Sequence, residues 1–216
     1  MKILGVTAMP KSGKGELSEA LKKSGWIHIS MSGLLKRQIM KDTGLHDGEI
    51  TRSTMFQQAA YYRKHHGGGY AAKLCLQEIC NTPEHDKKKF IIDGIRHLGE
   101  IDVLNKLNTQ NNVHFVGIIA DENREKDKDI RKQRLKANPD QRGANFEDAD
   151  LFDWIEYYEW DYPPHGPQVG ACLDKVKRLR NGKILVNNQT IEKWKNQVES
   201  YAVELEGSHP SMEGNR

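Results

Sequence analysis

The residues from Ala8 to Glu16, Ala-Met-Pro-Lys-Ser-Gly-Lys-Gly-Glu, constrain this chain more than any other segment. They follow a short apolar run, Ile3-Leu4-Gly5-Val6, that reads as a buried strand, and they lead into an amphipathic stretch from Lys14 to Ser24 that reads as a helix. A loop in that position wraps its backbone N–H groups around a polyanion, glycine permits close approach, and the helix N-terminus adds a favourable dipole. Strand, loop and helix arrive in the order that phosphate binding requires, which a lysine-rich surface turn would not need. Ala8, Met9, Pro10, Lys11, Ser12, Gly13, Lys14, Gly15 and Glu16 are therefore the candidate nucleotide-binding residues, with Lys14 placed to reach the β- and γ-phosphates.

Short apolar runs alternate with helical patterns along the rest of the chain, the signature of βα units on a parallel sheet. Trp26 to Ser30, Phe90 to Asp93, Val113 to Ala120 and Lys183 to Val186 read as further strands, so five strands and their helices predict a three-layer α/β sandwich. A helix is expected from about Ser32 to Lys41. A long helical region from about Ser53 to Ile79 is interrupted by Gly67-Gly68-Gly69, where a joint is expected because each glycine weakens a helix by roughly 1 kcal/mol relative to alanine. The stretch from about Arg124 to Tyr162 is dense in charge and aromatics and reads as an excursion above the sheet, a lid. Its aromatic residues Trp154, Tyr157, Tyr158, Trp160 and Tyr162 alternate with acids, which predicts a packed helix with an acidic face and argues against contact with a phosphate backbone. Pro163-Pro164-His165-Gly166-Pro167 predicts a rigid turn, Thr190 can cap a closing helix from Ile191 to about Leu205, and Gly207 to Arg216 has the composition of a disordered tail.

Asp93-Gly94-Ile95-Arg96 is the second chemical signal, because it stands at the carboxyl end of the third strand, where open α/β sheets bind ligands. Ser30-Met31-Ser32-Gly33-Leu34-Leu35-Lys36-Arg37 follows the second strand, and its hydroxyls can cap the helix. Arg131 and Arg134, three apart, share one helix face in the lid, and Arg142 follows in a loop with Pro139.

These motifs resemble the nucleoside monophosphate kinase group of P-loop kinases, whose loop commonly reads G-x-P-G-S-G-K-G-T. Within it the chain looks nearest to dephospho-CoA-kinase-like and archaeal kinases with loops of the form G-M-P-G-x-G-K-G-E. Met9-Pro10 and Ser12-Gly13-Lys14-Gly15-Glu16 follow that pattern, while Ala8 and Lys11 stand where it has glycines. Gly15 occupies the usual Ser/Thr position, so magnesium would be held by water, Ser12 or Glu16. The resemblance covers about residues 1 to 205. It implies strand order 2-3-1-4-5, acceptor-binding helices over about 32–80, a lid over about 124–162, and transfer of the γ-phosphate of ATP, with magnesium, to a nucleotide or nucleotide-like acceptor. It implies that Asp93 orients magnesium or the acceptor hydroxyl and that Arg96, Ser32, Lys36, Arg37 and Arg63 meet the acceptor, with Arg52 at another recurrent arginine position. Arg131 and Arg134 would stabilise the transferring phosphoryl group as the lid excludes water. Asn187-Asn188 resembles the turn over which such kinases lay the adenine, which makes Asn188 a candidate base contact. Tyr61, Tyr62, His65 and His66 can stack on a base or simply finish a helix.

Composition leaves other readings open. A net charge of +3 and a pI near 8.6 are mild for a protein that grips a nucleic-acid backbone. They permit DNA as acceptor, as in the bacteriophage kinases that phosphorylate hydroxymethyluracil in DNA, and the altered loop permits a nucleotide-sensing module without catalysis. Cys75, Cys80 and Cys172 are odd in number and lack a CxxC spacing, which predicts reduced thiols and no zinc site. With a first apolar run too short for a signal peptide and no run near the roughly 18 residues needed to cross a bilayer, a soluble cytoplasmic protein is expected.

Overall fold

Alternation within each strand dictates the layers. Along β1 (Lys2–Ala8), Ile3 points to one face and Leu4 and Val6 to the other; along β3 (Lys89–Ile95), Phe90 and Ile92 oppose Ile91; along β4 (Val113–Ile119), Phe115 opposes Val116. All of these side chains are essentially removed from water, so both faces must be covered by helices. The chain is described here by a computed structural model covering residues 1–138, 149–160 and 164–207, with the side chains at 149–151 and 154 outside the description. Among the described residues, β2 (Ile27–Ser30) and β5 (Gly182–Val186) complete a parallel sheet in the order β2-β3-β1-β4-β5. The expected three-layer α/β sandwich is therefore what the chain forms.

On one face α1 (Lys14–Lys23) and α9 (Ile191–Gly207) pack together, burying Leu17, Leu21, Trp194, Val198 and Tyr201 against Leu4, Val6, Ile91 and Val116. On the other lie α2 (Met31–Thr43), α4 (Tyr70–Cys80), α5 (Leu98–Asn105) and α8 (Val169–Arg178), around Ile39, Cys75, Ile79, Ile101, Leu104 and Val176. The joint expected at the glycines is present: α3 (Arg52–His66) ends before them and α4 begins after them. Its cause is packing as well as propensity, because a Cβ on Gly99, at the start of α5, would meet the Gly68 carbonyl carbon at 2.7 Å.

Two helices were not expected. In α8, Val169, Cys172, Leu173 and Val176 form a buried stripe at helical spacing that the preceding prolines obscure. In α5, the His97 ring accepts from Gly99 N at 3.1 Å while Glu100 accepts from the amides of Arg96 and His97 at 2.7 and 3.1 Å, a reciprocal cap with an unusual first member. The helical excursion expected above the sheet comprises α6 (Arg124–Ala137) and α7 (Ala149–Trp160). Arg142, Pro139, Tyr162, Pro163 and the tail from 208 onward lie outside the described residues. At the end of α3, Tyr62 stacks on Tyr70 at 4.9 Å and His66 on Tyr70 at 5.0 Å, while the Tyr62 hydroxyl donates to Asp42 at 2.7 Å. These rings spend their faces on one another, so the helix-finishing role prevails for Tyr62 and His66.

Cys75 and Cys172 are buried free thiols, pushed above their ordinary range by that burial, and Cys80 is an exposed free thiol. Among the described residues no helix is long and apolar enough to cross a membrane.

The third strand runs two residues beyond the expected Asp93. Val6 pairs with Asp93 but Thr7 pairs with Ile95, so Gly94 is skipped as a bulge, with φ +99°, and the Thr7 hydroxyl donates to Ile95 O at 3.0 Å. Bulges re-aim side chains at sheet ends, and this one sets Asp93 at the edge. A Cβ on Gly94 would meet only Met31, at 3.7 Å, so the position is restricted by backbone conformation alone. Gly94→Ala is expected to cost about 1–2 kcal/mol, the penalty of a left-handed non-glycine residue, read as a lowered urea midpoint with unchanged slope.

Candidate active site

The loop between β1 and α1 is held by its carbonyls. Met9 O accepts from Ser12 N at 3.3 Å, Pro10 O from Arg131 Nη1 at 3.3 Å, Lys11 O from Arg134 Nη1 at 3.2 Å, Ser12 O from Asn187 Nδ2 at 2.9 Å and Gly13 O from Trp194 Nε1 at 3.1 Å. In a trans peptide the N–H of the next residue points opposite to the carbonyl. With the carbonyls tied to the scaffold, the amides of Lys11, Gly13 and Lys14 face the other way, next to the first turn of α1, which has no side-chain cap. That is an anion nest at a helix N-terminus. Gly13 is required: at φ +103° a Cβ would sit 2.2 Å from Asn187 Nδ2 and 2.9 Å from Trp194 Nε1. At Gly15 nothing lies within 4 Å of the same construction, so the position that elsewhere carries a hydroxyl is open space. Lys11 is left-handed, φ 65°, which explains why the resembling loops use glycine there, and its ammonium donates to Asn138 O at 2.6 Å beyond the end of α6. Ala8 and Met9 are buried at the end of β1, and Glu16 sits half-buried in the first turn of α1.

Lys14 is engaged with Asp93, its Nζ donating to Oδ1 at 2.8 Å and Oδ2 at 2.7 Å. His28, on β2, adds its Nε2 at 3.6 Å from Oδ2. Burial pushes the Asp93 carboxyl up, but the His28 and Lys14 contacts outweigh it and hold the group well below the usual carboxylate range. Ser30 pairs in register with Asp93, caps α2 by accepting from Gly33 N at 3.2 Å, and its hydroxyl lies 3.1 Å from that of exposed Ser32. The ends of β1, β2 and β3 thus place a cation, a carboxylate and two hydroxyls together.

Arg131 and Arg134, expected to meet the transferring phosphoryl group, lie behind the loop in this structure. Arg131 is fully buried; its Nε donates to Asp127 at 2.7 Å and its Nη1 to Glu156 at 2.5 Å as well as to Pro10 O. Arg134 holds Lys11 O and, at 2.5 Å, Asn187 O. Both brace the loop from behind. Arg124 also donates to Glu156 and stacks on Trp160 at 3.8 Å, so Glu156 fastens α7 to α6. Two arginines outweigh the burial that pushes Glu156 up and hold its carboxyl below the ordinary range.

The five cations that the resemblance sets near the acceptor each meet a carboxylate. Lys36 meets Asp47 at 2.8 Å and Arg37 meets Glu78 at 3.0 Å, both toward solvent. Arg63, buried, meets Glu100 at 3.2 Å and donates to His165 O at 3.4 Å. Arg96 and Arg52 converge on Glu159 at 3.3 and 2.7 Å. Asn188 is exposed, and its neighbour Asn187 is the buried member of the turn. A cavity of about 380 Å³ beside the loop is walled by Ile119, Trp160, Leu173 and Ile184.

Sequence reasoning missed His28, Trp194, Glu100, Glu156 and Glu159. A strand histidine and a helix tryptophan carry no local signal, and the glutamates are distinguished only by which arginine they meet.

Lys11→Gly is expected to raise stability by about 1 kcal/mol by relieving the left-handed backbone, measured as a higher urea midpoint; a lower midpoint would show that the tie to Asn138 outweighs the strain. Glu156→Gln is expected to cost about 3 kcal/mol at pH 7, since it strips a buried arginine of a partner. The sign with pH follows from the lowered folded-state values of Glu156 and Asp93. Their stabilisation is complete above the unfolded carboxylate values of about 4 and is lost as pH falls through the lower folded values. Urea titrations at descending pH are expected to show a shallower acid loss in Glu156→Gln than in the parent.

No family model matches the chain. A UPF0200 protein from Sulfurisphaera tokodaii is 30% identical over 200 residues, covering 92% of this chain and 94% of that one. Another from Thermococcus kodakarensis is 24% identical over 203 residues, covering 94% and 97%. Among solved structures, TT1252 from Thermus thermophilus aligns with a TM-score of 0.57 at 15% identity, over 96% of this chain and 98% of that one, a likeness of fold. Near-complete coverage at that level of identity places the chain in the UPF0200 family.

Proposed function

We propose that this protein is an ATP-dependent phosphotransferase, moving the γ-phosphate of ATP to a nucleotide-like acceptor seated over the ends of β2 and β3. The observation that carries the reading is the braced loop: carbonyls tied back by four side chains, amides turned outward, and Lys14 standing at the helix start against Asp93. Such a loop suits a polyphosphate, and the open space at Gly15 leaves it room.

Lys14 is held by Asp93 in this state, so a polyphosphate entering the nest would compete for its ammonium and release the carboxylate. His28 remains beside Asp93. A carboxylate is a poor base at neutral pH and a good orienting acceptor for a hydroxyl. Magnesium takes one or two carboxylates and completes its shell with phosphates and water. Asp93 is the carboxylate that would hold it; when bound, magnesium supplies neutralisation of charge on the phosphates. Catalysis by this chain is then positioning and electrostatics, with Arg131 and Arg134 acting through the loop they brace. The base of the nucleotide belongs beside the Asn187-Asn188 turn, with Asn188 exposed to meet it.

The test is transfer of label from γ-labelled ATP by the purified chain and by Lys14→Ala. Loss of transfer by at least about 100-fold in the variant, the scale of removing one preorganised charge contact, is the expected result. Tight ATP binding without transfer to any acceptor would instead support a nucleotide-sensing module.

A further inference from the structure

Five cations expected near the acceptor already have a carboxylate within 3.3 Å, although Arg63 and Arg96 each keep a buried Nε without a hydrogen-bond partner. Lys36, Arg37, Arg63, Arg52 and Arg96 each face a carboxylate of the chain, and the innermost of these, Glu159, is 1% exposed between Arg52 and Arg96. Whether Glu159 can step aside decides what can bind against Arg96. Its helix cannot withdraw cheaply, because Glu156 lies one turn away and is bound to Arg131, which has no solvent exposure, and to Arg124. Withdrawing α7 would leave Arg131 in the interior with Asp127 as its one carboxylate, a desolvated charge short of a partner. The backbone that carries Glu159 is therefore fixed, and Arg52 and Arg96 hold its buried carboxylate in place. A phosphate dianion placed against Arg96 would face that carboxylate as well as the guanidinium.

The groups at the edge of the sheet that suit a hydroxyl are Asp93, which polyphosphate entry would release from Lys14, its register neighbour Ser30, and Ser32. We infer that the acceptor presents an uncharged alcohol to Asp93 and carries no phosphate at the Arg52–Glu159–Arg96 wall. The inference rests on the phosphotransfer reading and narrows it. In the step, the acceptor oxygen forms a bond to the γ-phosphorus as the bond from that phosphorus to the β,γ-bridging oxygen breaks. ADP departs with the electron pair, and the hydroxyl proton, made acidic as the new bond forms, passes to an Asp93 oxygen and from there to water.

The test uses the whole chain with magnesium and a non-hydrolysable ATP analogue, whose binding is measured first by calorimetry. If the analogue does not bind, the phosphotransfer reading fails and this inference with it. With the nest filled, inorganic phosphate is titrated as the anion probe. The parent is expected to show no second site up to about 10 mM phosphate, whereas Glu159→Gln gains one with a Kd of about 1 mM or tighter that Arg96→Gln removes. Analogue binding together with an Arg96-dependent phosphate site in the parent would overturn the inference and leave the phosphotransfer reading standing. A folded Glu159→Gln with no gain would also overturn it, and if that variant fails to fold the parent titration still decides. Label transfer is then compared within matched pairs, thymidine against thymidine monophosphate and ribose against ribose 5-phosphate, which separates a nucleoside from a sugar as the source of the alcohol. Transfer favouring the unphosphorylated member by at least about tenfold is expected; the reverse preference would sink the idea.

Discussion

Everything chemical in this protein depends on carbonyl groups that point away from the chemistry. The loop after β1, Met9 to Gly13, is too short to hold a shape by itself. Its shape comes from α6, from the turn after β5 and from α9, which send Arg131, Arg134, Asn187 and Trp194 to four successive carbonyls. Each such bond contributes on the order of 1 kcal/mol, more for the guanidinium donors. Their larger effect is directional, because fixing the carbonyls of Pro10, Ser12 and Gly13 behind the loop turns the amides of Lys11, Gly13 and Lys14 to its front. The parallel sheet makes this possible by bringing the ends of β1, β4 and β5 side by side, so residues separated by most of the chain meet at one turn.

The same bracing ties the site to the helices above it. Arg131 joins the loop to Glu156, and Glu156 joins α6 to α7, which in turn delivers Glu159 to Arg52 and Arg96. Buried ion pairs of this kind add little net stability, yet removing one partner is expensive. They act here as registration devices, fixing where α7 lies relative to the loop and the Asp93 turn. The loop after β1 and the Arg52–Glu159–Arg96 cluster are thus linked by a chain of charges, and neither can shift without exposing a charge in the other.

Legibility in the sequence followed how local each signal was. The strands were readable because β1, β3 and β4 are apolar on both faces, and the loop was readable because glycine, lysine and a helix start occur together in sequence. Lys11 could be seen as a departure, but that it sits at positive φ and ties to Asn138 could not. Arg131 and Arg134 were visible as a pair on one face, which gave no indication that the face turns inward toward loop carbonyls. Charge partners were the least legible part: Glu100, Glu156 and Glu159 look like ordinary helix glutamates, and only the fold reveals that each is buried beside an arginine. α8 was missed for a different reason, since the prolines before it outweighed a stripe of Val169, Cys172, Leu173 and Val176 that is clear once its start is known.

The central claim is that the outward amides of Lys11, Gly13 and Lys14 form the phosphate nest, and amide proton–nitrogen NMR tests it directly. On adding a magnesium complex of a non-hydrolysable ATP analogue to the parent chain, the largest downfield amide-proton shifts are predicted at Lys11, Gly13, Lys14 and Gly15, with a smaller change at the Trp194 indole, whose carbonyl partner lies behind the loop. Saturable binding that leaves these amides unmoved while resonances elsewhere shift would contradict the account.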